Sequence, residues 1–236
     1  MRFTIAIAGA VLTALSLAPA TATAAPENPD MSPMIIGGSY AQNFPYAARL
    51  FANGRENCSA TKIAPNWILT AEHCVARSAT YTFRAGSLDQ HSGGQMVTAN
   101  RIIKHPSADL ALARVSPAMS GPFAPLVAQV RTNQTVQLYG WGATCTNQPE
   151  INCQSRYLKV ANTRVTSTNG KDYRGGVAIS VTRVDGIAAG GDSGGPMFAN
   201  GRQVGVASTS DRSTRSNYTS VNHGPYRSWI TQHAGV

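Results

Sequence analysis

From Ile35 to its C-terminus the chain never holds one secondary-structure rhythm for long. Short β-prone runs alternate with Gly, Asn, Ser and Pro. The first half carries Ala47–Ala52, Thr61–Ala64, Trp67–Thr70, Tyr81–Arg84 and Met96–Lys104; the second carries Val136–Trp141, Tyr157–Val165, Val177–Val184 and Gln203–Ala207. Many strand-length runs broken by turn residues, with few helical periods, argue for an all-β barrel or sandwich. A helix is expected only near the end, at Pro225–His233, where Pro225 suits a first turn. Pro117, Pro122 and Pro125 crowd the middle and mark a crossover between two halves. A length of 236 residues is enough for one large domain or two small ones sharing an interface.

The first 34 residues have a different texture. Arg2 precedes the apolar run Phe3 to Pro19, and Ala22-Thr23-Ala24 supplies small residues for cleavage. Residues 1–24 therefore read as a secretory signal, too short and too weakly flanked for a membrane anchor. Residues 25–34 are polar and proline-bearing, the composition of a leader or propeptide. The expected mature protein is secreted, extracellular and free of the membrane once the signal is gone.

Export permits disulfides, and the four cysteines Cys58, Cys74, Cys145 and Cys153 allow three pairings. The local pairs Cys58–Cys74 and Cys145–Cys153 are the expected ones. Zinc is the rival reading, but no Cys-x-x-Cys unit supports it. No acid pair after Tyr81–Arg84 suits a calcium loop, so no metal and no cofactor is expected. The formal net charge of +9 is spread along the chain rather than gathered in a run. Without arginine–aromatic interleaving, that charge points to solvated arginine and not to a specific nucleic-acid site.

Three short segments carry chemistry. Gly191-Asp192-Ser193-Gly194-Gly195-Pro196 surrounds a serine with glycines, which permit a tight turn and expose backbone N–H groups. A serine hydroxyl that attacks a carbonyl needs a neighbouring base and amide donors for the oxyanion. Thr70-Ala71-Glu72-His73-Cys74 sets a histidine directly before an expected disulfide, which would hold its backbone. Asp109-Leu110-Ala111-Leu112 puts a carboxylate at the mouth of an apolar strand, where it is either a turn former or the partner that fixes a histidine tautomer.

Together with Ile35-Ile36-Gly37-Gly38, Trp67 and Gly140-Trp141-Gly142, these segments resemble the chymotrypsin-like (trypsin-like) serine proteases, in the manner of a secreted bacterial-type member. They occur in the family's order and span nearly all of residues 35–236. The resemblance implies two six-stranded antiparallel β-barrels with the active site between them, a first barrel at about 35–120 and a second at about 121–236. It implies His73 as general base, Asp109 as its orienting carboxylate, Ser193 as nucleophile, and the amides of Gly191 and Ser193 as oxyanion hole. Ser208 looks like the serine that supports the aspartate. Activation by cleavage between Met34 and Ile35 is implied as well, with the new Ile35 ammonium pairing with Asp192. Ile187, Ala188, Ser208, Ser210 and Ser216 fall at specificity-pocket positions, and with no acid among them an apolar residue is expected on the acyl side of the cut bond. Met34 is such a residue, which makes autocatalytic activation a natural expectation. Protein or peptide substrates and proteinaceous inhibitors are the expected partners of a monomer.

The sequence also departs from the family pattern. Glu72 stands where alanine is usual, and Ser59-Ala60 replace Gly-Gly after the first cysteine. Ala189 stands where many relatives have a cysteine, so the disulfide that braces the pocket is missing. Three rival readings keep their own residues. An α/β-hydrolase would use Ser193, Asp211 and His223, although an elbow serine should enter a helix rather than Gly194-Gly195-Pro196. A protease-fold binding protein would be catalytically weak, yet all three triad candidates are present. Trypsin-like selection for Arg or Lys would need Asp185 turned into the pocket.

Overall fold

The computed structural model describes residues 35–236; the expected signal at 1–24 and leader at 25–34 lie outside the described residues. Two short strands come first, β1 (Ile36–Gly37) and β2 (Ser39–Tyr40). Six more follow: β3 (Ala47–Ala52), β4 (Arg55–Ala64), β5 (Trp67–Thr70), β6 (Tyr81–Ala85), β7 (Gln95–Lys104) and β8 (Ala111–Ser116). They close into an antiparallel barrel in the spatial order β3-β4-β5-β8-β7-β6. The second half supplies β9 (Thr135–Gly140), β10 (Lys159–Lys171), β11 (Val177–Arg183), β12 (Gly186–Ile187), β13 (Pro196–Ala199), β14 (Arg202–Ser210) and β15 (Arg215–Ser220). Six of these run in the order β11-β15-β14-β13-β9-β10, and the pairing of β10 with β11 closes them into a second barrel. The fold is thus two six-stranded antiparallel barrels followed by one helix, α1 (Gly224–Ala234).

Alternation explains why these runs are strands. Along β6, Tyr81, Phe83 and Ala85 face inward while Thr82 and Arg84 are partly exposed, the two-residue period of a half-buried sheet. The first barrel fills with Leu50, Ile68, Leu69, Phe83, Leu110 and Leu112, and the second with Val136, Leu138, Val165, Ile179, Met197 and Val204. Burying each such side chain stabilises the fold by roughly 1.5–3 kcal/mol. In α1, Pro225 lies in the first turn, and Gly235 ends the helix at φ 73° with its N–H on the Thr231 carbonyl. Tyr226 and Ile230, four residues apart on one face, pack into the first barrel's core. The end of the chain therefore returns to the half that began it.

The start of the chain crosses the other way. β1 pairs with β12 through Ile36 and Ile187, and β2 pairs with β10. Residues 36–40 are therefore added to the second half, although they precede the first barrel in sequence. Phe44, Trp141, Leu158 and Phe198 form a third buried cluster between segments that are distant in sequence.

Candidate active site

The register of β5 against β8 assembles the first half of the site. Thr70 pairs with Ala111, so residues just after β5 and just before β8 emerge at the same barrel end. His73 lies there in a single 3₁₀ turn, His73–Val75, tethered by the Cys58–Cys74 disulfide. Asp109 is fully buried; its Oδ1 accepts the His73 backbone N–H at 3.0 Å, and its Oδ2 lies 2.7 Å from His73 Nδ1. A proton on Nδ1 donated to that carboxylate leaves Nε2 with its lone pair free to take a proton. Ser208 Oγ also donates to Oδ2, at 2.6 Å. Burial pushes the Asp109 carboxyl up, but the hydrogen bonds and charge of His73, helped by Ser208, outweigh it and hold the group below its ordinary value.

Two residues that the sequence did not single out support Asp109. His105 Nδ1 accepts the amides of Ser107 and Ala108, folding the turn that leads into it. Asp172 Oδ2 accepts the Asp109 amide at 2.9 Å and the Thr219 hydroxyl at 3.0 Å. The available signal for Asp172 was the Asp-Tyr-Arg-Gly-Gly turn, whose Arg174 and Gly176 amides both donate to its Oδ1.

Ser193 occupies the turn between β12 and β13. Its carbonyl accepts the amide of Ser59 on β4, while Gly194 N–H donates to the Ala207 carbonyl on β14. These two bonds seat the serine between the barrels. Gly194, at φ 76°, leaves no room for a Cβ beside Thr70 Oγ1 and the Ser59 carbonyl, which is why glycine follows the serine. Asp192 turns inward and is buried, accepting the amides of Gly142 and Ala189 at 2.7 and 2.9 Å. Burial pushes its carboxyl up to about 6, even against those amides and the charges of Arg49 and Lys159. Lys159 Nζ donates to the Gly37 carbonyl, and Ile35 is itself buried.

Beside Ser193 an open pocket of about 210 Å³ is lined by Ala188, Ala189, Ser208, Ser210 and Arg212, among others. Ile187 is fully buried on β12, and buried Ser216 donates its hydroxyl to Ser210 Oγ at 3.0 Å. Exposed Asp185 is engaged elsewhere, accepting the amide and the side-chain N–H of Asn162 at 2.7 and 2.6 Å. Glu150 bridges two lining residues: its Oε1 accepts the Gly190 amide at 3.2 Å and pairs with Arg212 Nε at 2.5 Å. Glu150 lies in a 3₁₀ turn closed by the Cys145–Cys153 disulfide. It was not legible in the sequence, because 62 residues separate it from Arg212. The residues of the rival hydrolase reading are apart from all this. Asp211 accepts amides of its own turn, at Ser213, Thr214 and Arg215, and His223 directly precedes α1 with its ring against Tyr226. Cys58, His73 and Cys74 cluster closely, but both sulfurs are committed to the disulfide and cannot act as thiolates toward zinc.

The profile of the trypsin family matches residues 35–230. The chain belongs to that family and is a serine endopeptidase. Trypsin alpha of Drosophila melanogaster is 27% identical over 229 residues, covering 87% of this chain and 90% of that protein. An uncharacterized peptidase of Corynebacterium glutamicum (strain R) is 30% identical over 164 residues, covering 66% of this chain and 55% of its own length. Among solved structures, neuropsin, a serine protease expressed in the limbic system of mouse brain, superposes with a TM-score of 0.72. Its identity is 23%, and the match covers 84% of this chain and 98% of neuropsin. Human heparin binding protein superposes at 0.71 with 22% identity, covering 85% and 96% of the two chains. At such identities the superpositions speak for the fold of this endopeptidase alone.

Proposed function

We propose that the endopeptidase hydrolyses peptide bonds through Ser193, His73 and Asp109 by way of an acyl-enzyme. The observation that carries this is the 2.7 Å contact of His73 Nδ1 with a fully buried Asp109, at a pocket whose rim includes Ser193. Ser193 Oγ attacks the substrate carbonyl while His73 Nε2 takes its proton, and Asp109 stabilises the imidazolium. The N–H groups of Gly191 and Ser193 receive the oxyanion, each worth about 10²–10³ in kcat. His73 returns the proton to the leaving amine, and water then repeats the sequence on the ester. All three groups are retained, which favours catalysis over a protease-fold binding role.

The enzyme is made as a secreted zymogen and activated between Met34 and Ile35. Asp192 supports this reading: burial pushes its carboxyl up to about 6 despite the charges of Arg49 and Lys159, and pairing with a new ammonium at Ile35 would favour the charged form. The pocket takes a small or medium apolar side chain. Alanines line part of it, Asp185 is held by Asn162, and the Glu150 carboxylate is already paired with Arg212, which leaves no free acid to select a cationic substrate residue. Apolar discrimination is modest, about 1–3 kcal/mol per methylene, so cleavage is preferential rather than strict. Among the described residues no helix is long and apolar enough to cross a membrane. The test uses protein cut before Ile35: an organophosphorus reagent should label Ser193, and peptides ending in Met, Leu or Ala should be cut faster than those ending in Arg. Absence of labelling would favour the binding role, and strong preference for Arg would overturn the apolar pocket.

A further inference from the structure

Arg49 is a buried cation with no place in the chemistry above. It lies on β3 of the first barrel, wholly inaccessible to solvent, where an apolar side chain would avoid the cost of desolvating a charge. Its nearest carboxylate, Glu56 Oε2, is 3.8 Å from Nη2, too far for a hydrogen-bonded pair. Its short contacts lie across the interface instead. Nη1 donates to the Gly191 carbonyl at 3.1 Å and Nη2 to Gln154 Oε1 at 3.1 Å.

Those two acceptors lead to both peptide planes that flank Gly191. The Gly191 carbonyl also accepts the hydroxyl of Ser59, at 2.9 Å. The Gly190 carbonyl accepts Gln154 Nε2 at 2.8 Å and the Ala143 amide at 2.7 Å. A trans peptide is planar, so a carbonyl held by two donors fixes the N–H on the opposite side of the same bond. The N–H opposite the Gly190 carbonyl is that of Gly191. Gly191 itself, at φ 98°, has the backbone freedom of glycine, and a Cβ there would collide with Gln154 Oε1. A freely rotating glycine held on both sides by side chains is a clamped hinge.

We propose that Arg49, acting through Gln154 and alongside Ser59, is a positioning residue that locks the two peptides around Gly191 and so aims the Gly191 N–H at the oxyanion. The inference rests on the reading of that N–H as an oxyanion donor. Anchored in the first barrel at Arg49 and Ser59, the clamp supplies bracing where a disulfide at Ala189 would act from within the second.

Kinetics on protein cut before Ile35 test it, with Arg49→Met, which keeps length without donors, and Arg49→Lys, which keeps the charge but gathers its donors on a single nitrogen. Arg49→Met should lower kcat about 10- to 100-fold, a fraction of the loss of a whole oxyanion donor, with KM within about twofold. A peptidyl boronate, whose oxygen occupies the hole, should lose affinity by the same factor as kcat/KM, while a product peptide should bind as before. Arg49→Lys should recover part of the loss. Gln154→Met, at a partly exposed site outside the barrel core, should show the same pattern more weakly and keeps the test open if Arg49→Met does not fold. Folded variants with kcat and boronate affinity within about twofold of the parent would overturn the clamp. So would equal losses for boronate and product peptide, which mark a general structural defect. A parent that neither hydrolyses peptides nor labels at Ser193 fails the proposed function itself, and the clamp with it.

Discussion

The loop that carries His73 and the loop that carries Ser193 are held in different ways. His73 lies one residue from the Cys58–Cys74 disulfide, and its carboxylate comes from the turn that leads into β8 of the same barrel. The Ser193 loop has Ala189 rather than a cysteine, and its braces are noncovalent: Ser59 and Arg49 from the first barrel, Glu150 and Gln154 from the second. A covalent staple fixes one backbone point and leaves side-chain hydrogen bonds free for chemistry. A polar clamp fixes peptide orientation directly, but only while every partner keeps its place. Stability should therefore depend more on the first loop, and turnover more finely on the second.

The largest effects are expected where both loops act on one proton. Ser193→Ala and His73→Ala should each lower kcat by roughly 10⁶, since triad members act as a unit. Near-normal turnover in either would break the assignment. Asp109→Asn should cost about 10⁴ by spoiling the His73 tautomer. It should also change acid stability. The folded carboxyl is held below its ordinary 3.8, so its contribution is full above that value and lost as pH falls through the folded pKa. Melting temperature measured downward from pH 5 should therefore slope less in Asp109→Asn than in the parent.

Replacing both Cys58 and Cys74 by serine should cost about 3 kcal/mol, as expected for a loop of this size, in chemical denaturation. Glu150→Gln should cost under about 1 kcal/mol, because its partner Arg212 is more than half exposed and screened. That variant should show itself in KM and in preference at the cut bond. A Glu150 variant that destabilised more than loss of the disulfide would reverse the contrast between the loops.

The smallest expected effect is at His105, beneath Asp109. Burial foremost, with the charges of Arg174 and His223 opposing its protonation and Asp172 favouring it, holds this imidazole below its ordinary 6.5. Neutral His105 is therefore preferred by the fold. Its contribution is full above pH 6.5 and declines as pH falls toward the folded pKa, when Nδ1 can no longer accept from Ser107 and Ala108. His105→Asn keeps an acceptor there without titrating, so its melting temperature should fall less than the parent's over that range. Parallel pH curves for the two proteins would remove His105 from the support of Asp109.

The sequence by itself determined whatever depends on neighbours along the chain. Alternating runs such as Tyr81–Ala85, the proline-started helix over 224–234, and the glycine turn around Ser193 follow from local sterics and burial. β15 was missed because Arg215-Ser216-Asn217-Tyr218-Thr219-Ser220 has few apolar residues, and β14 and β11 on either side make it a strand. The placing of β1 and β2 against the second barrel, and the supports of the candidate site, were decided only by the tertiary structure. Arg49 reaches Gly191 across 142 positions and Asp172 reaches Asp109 across 63. Neither residue belongs to a periodic pattern. Each is tolerated inside the protein only because folding delivers acceptors or donors that offset its desolvation, and such partners have no signature in the chain before it folds.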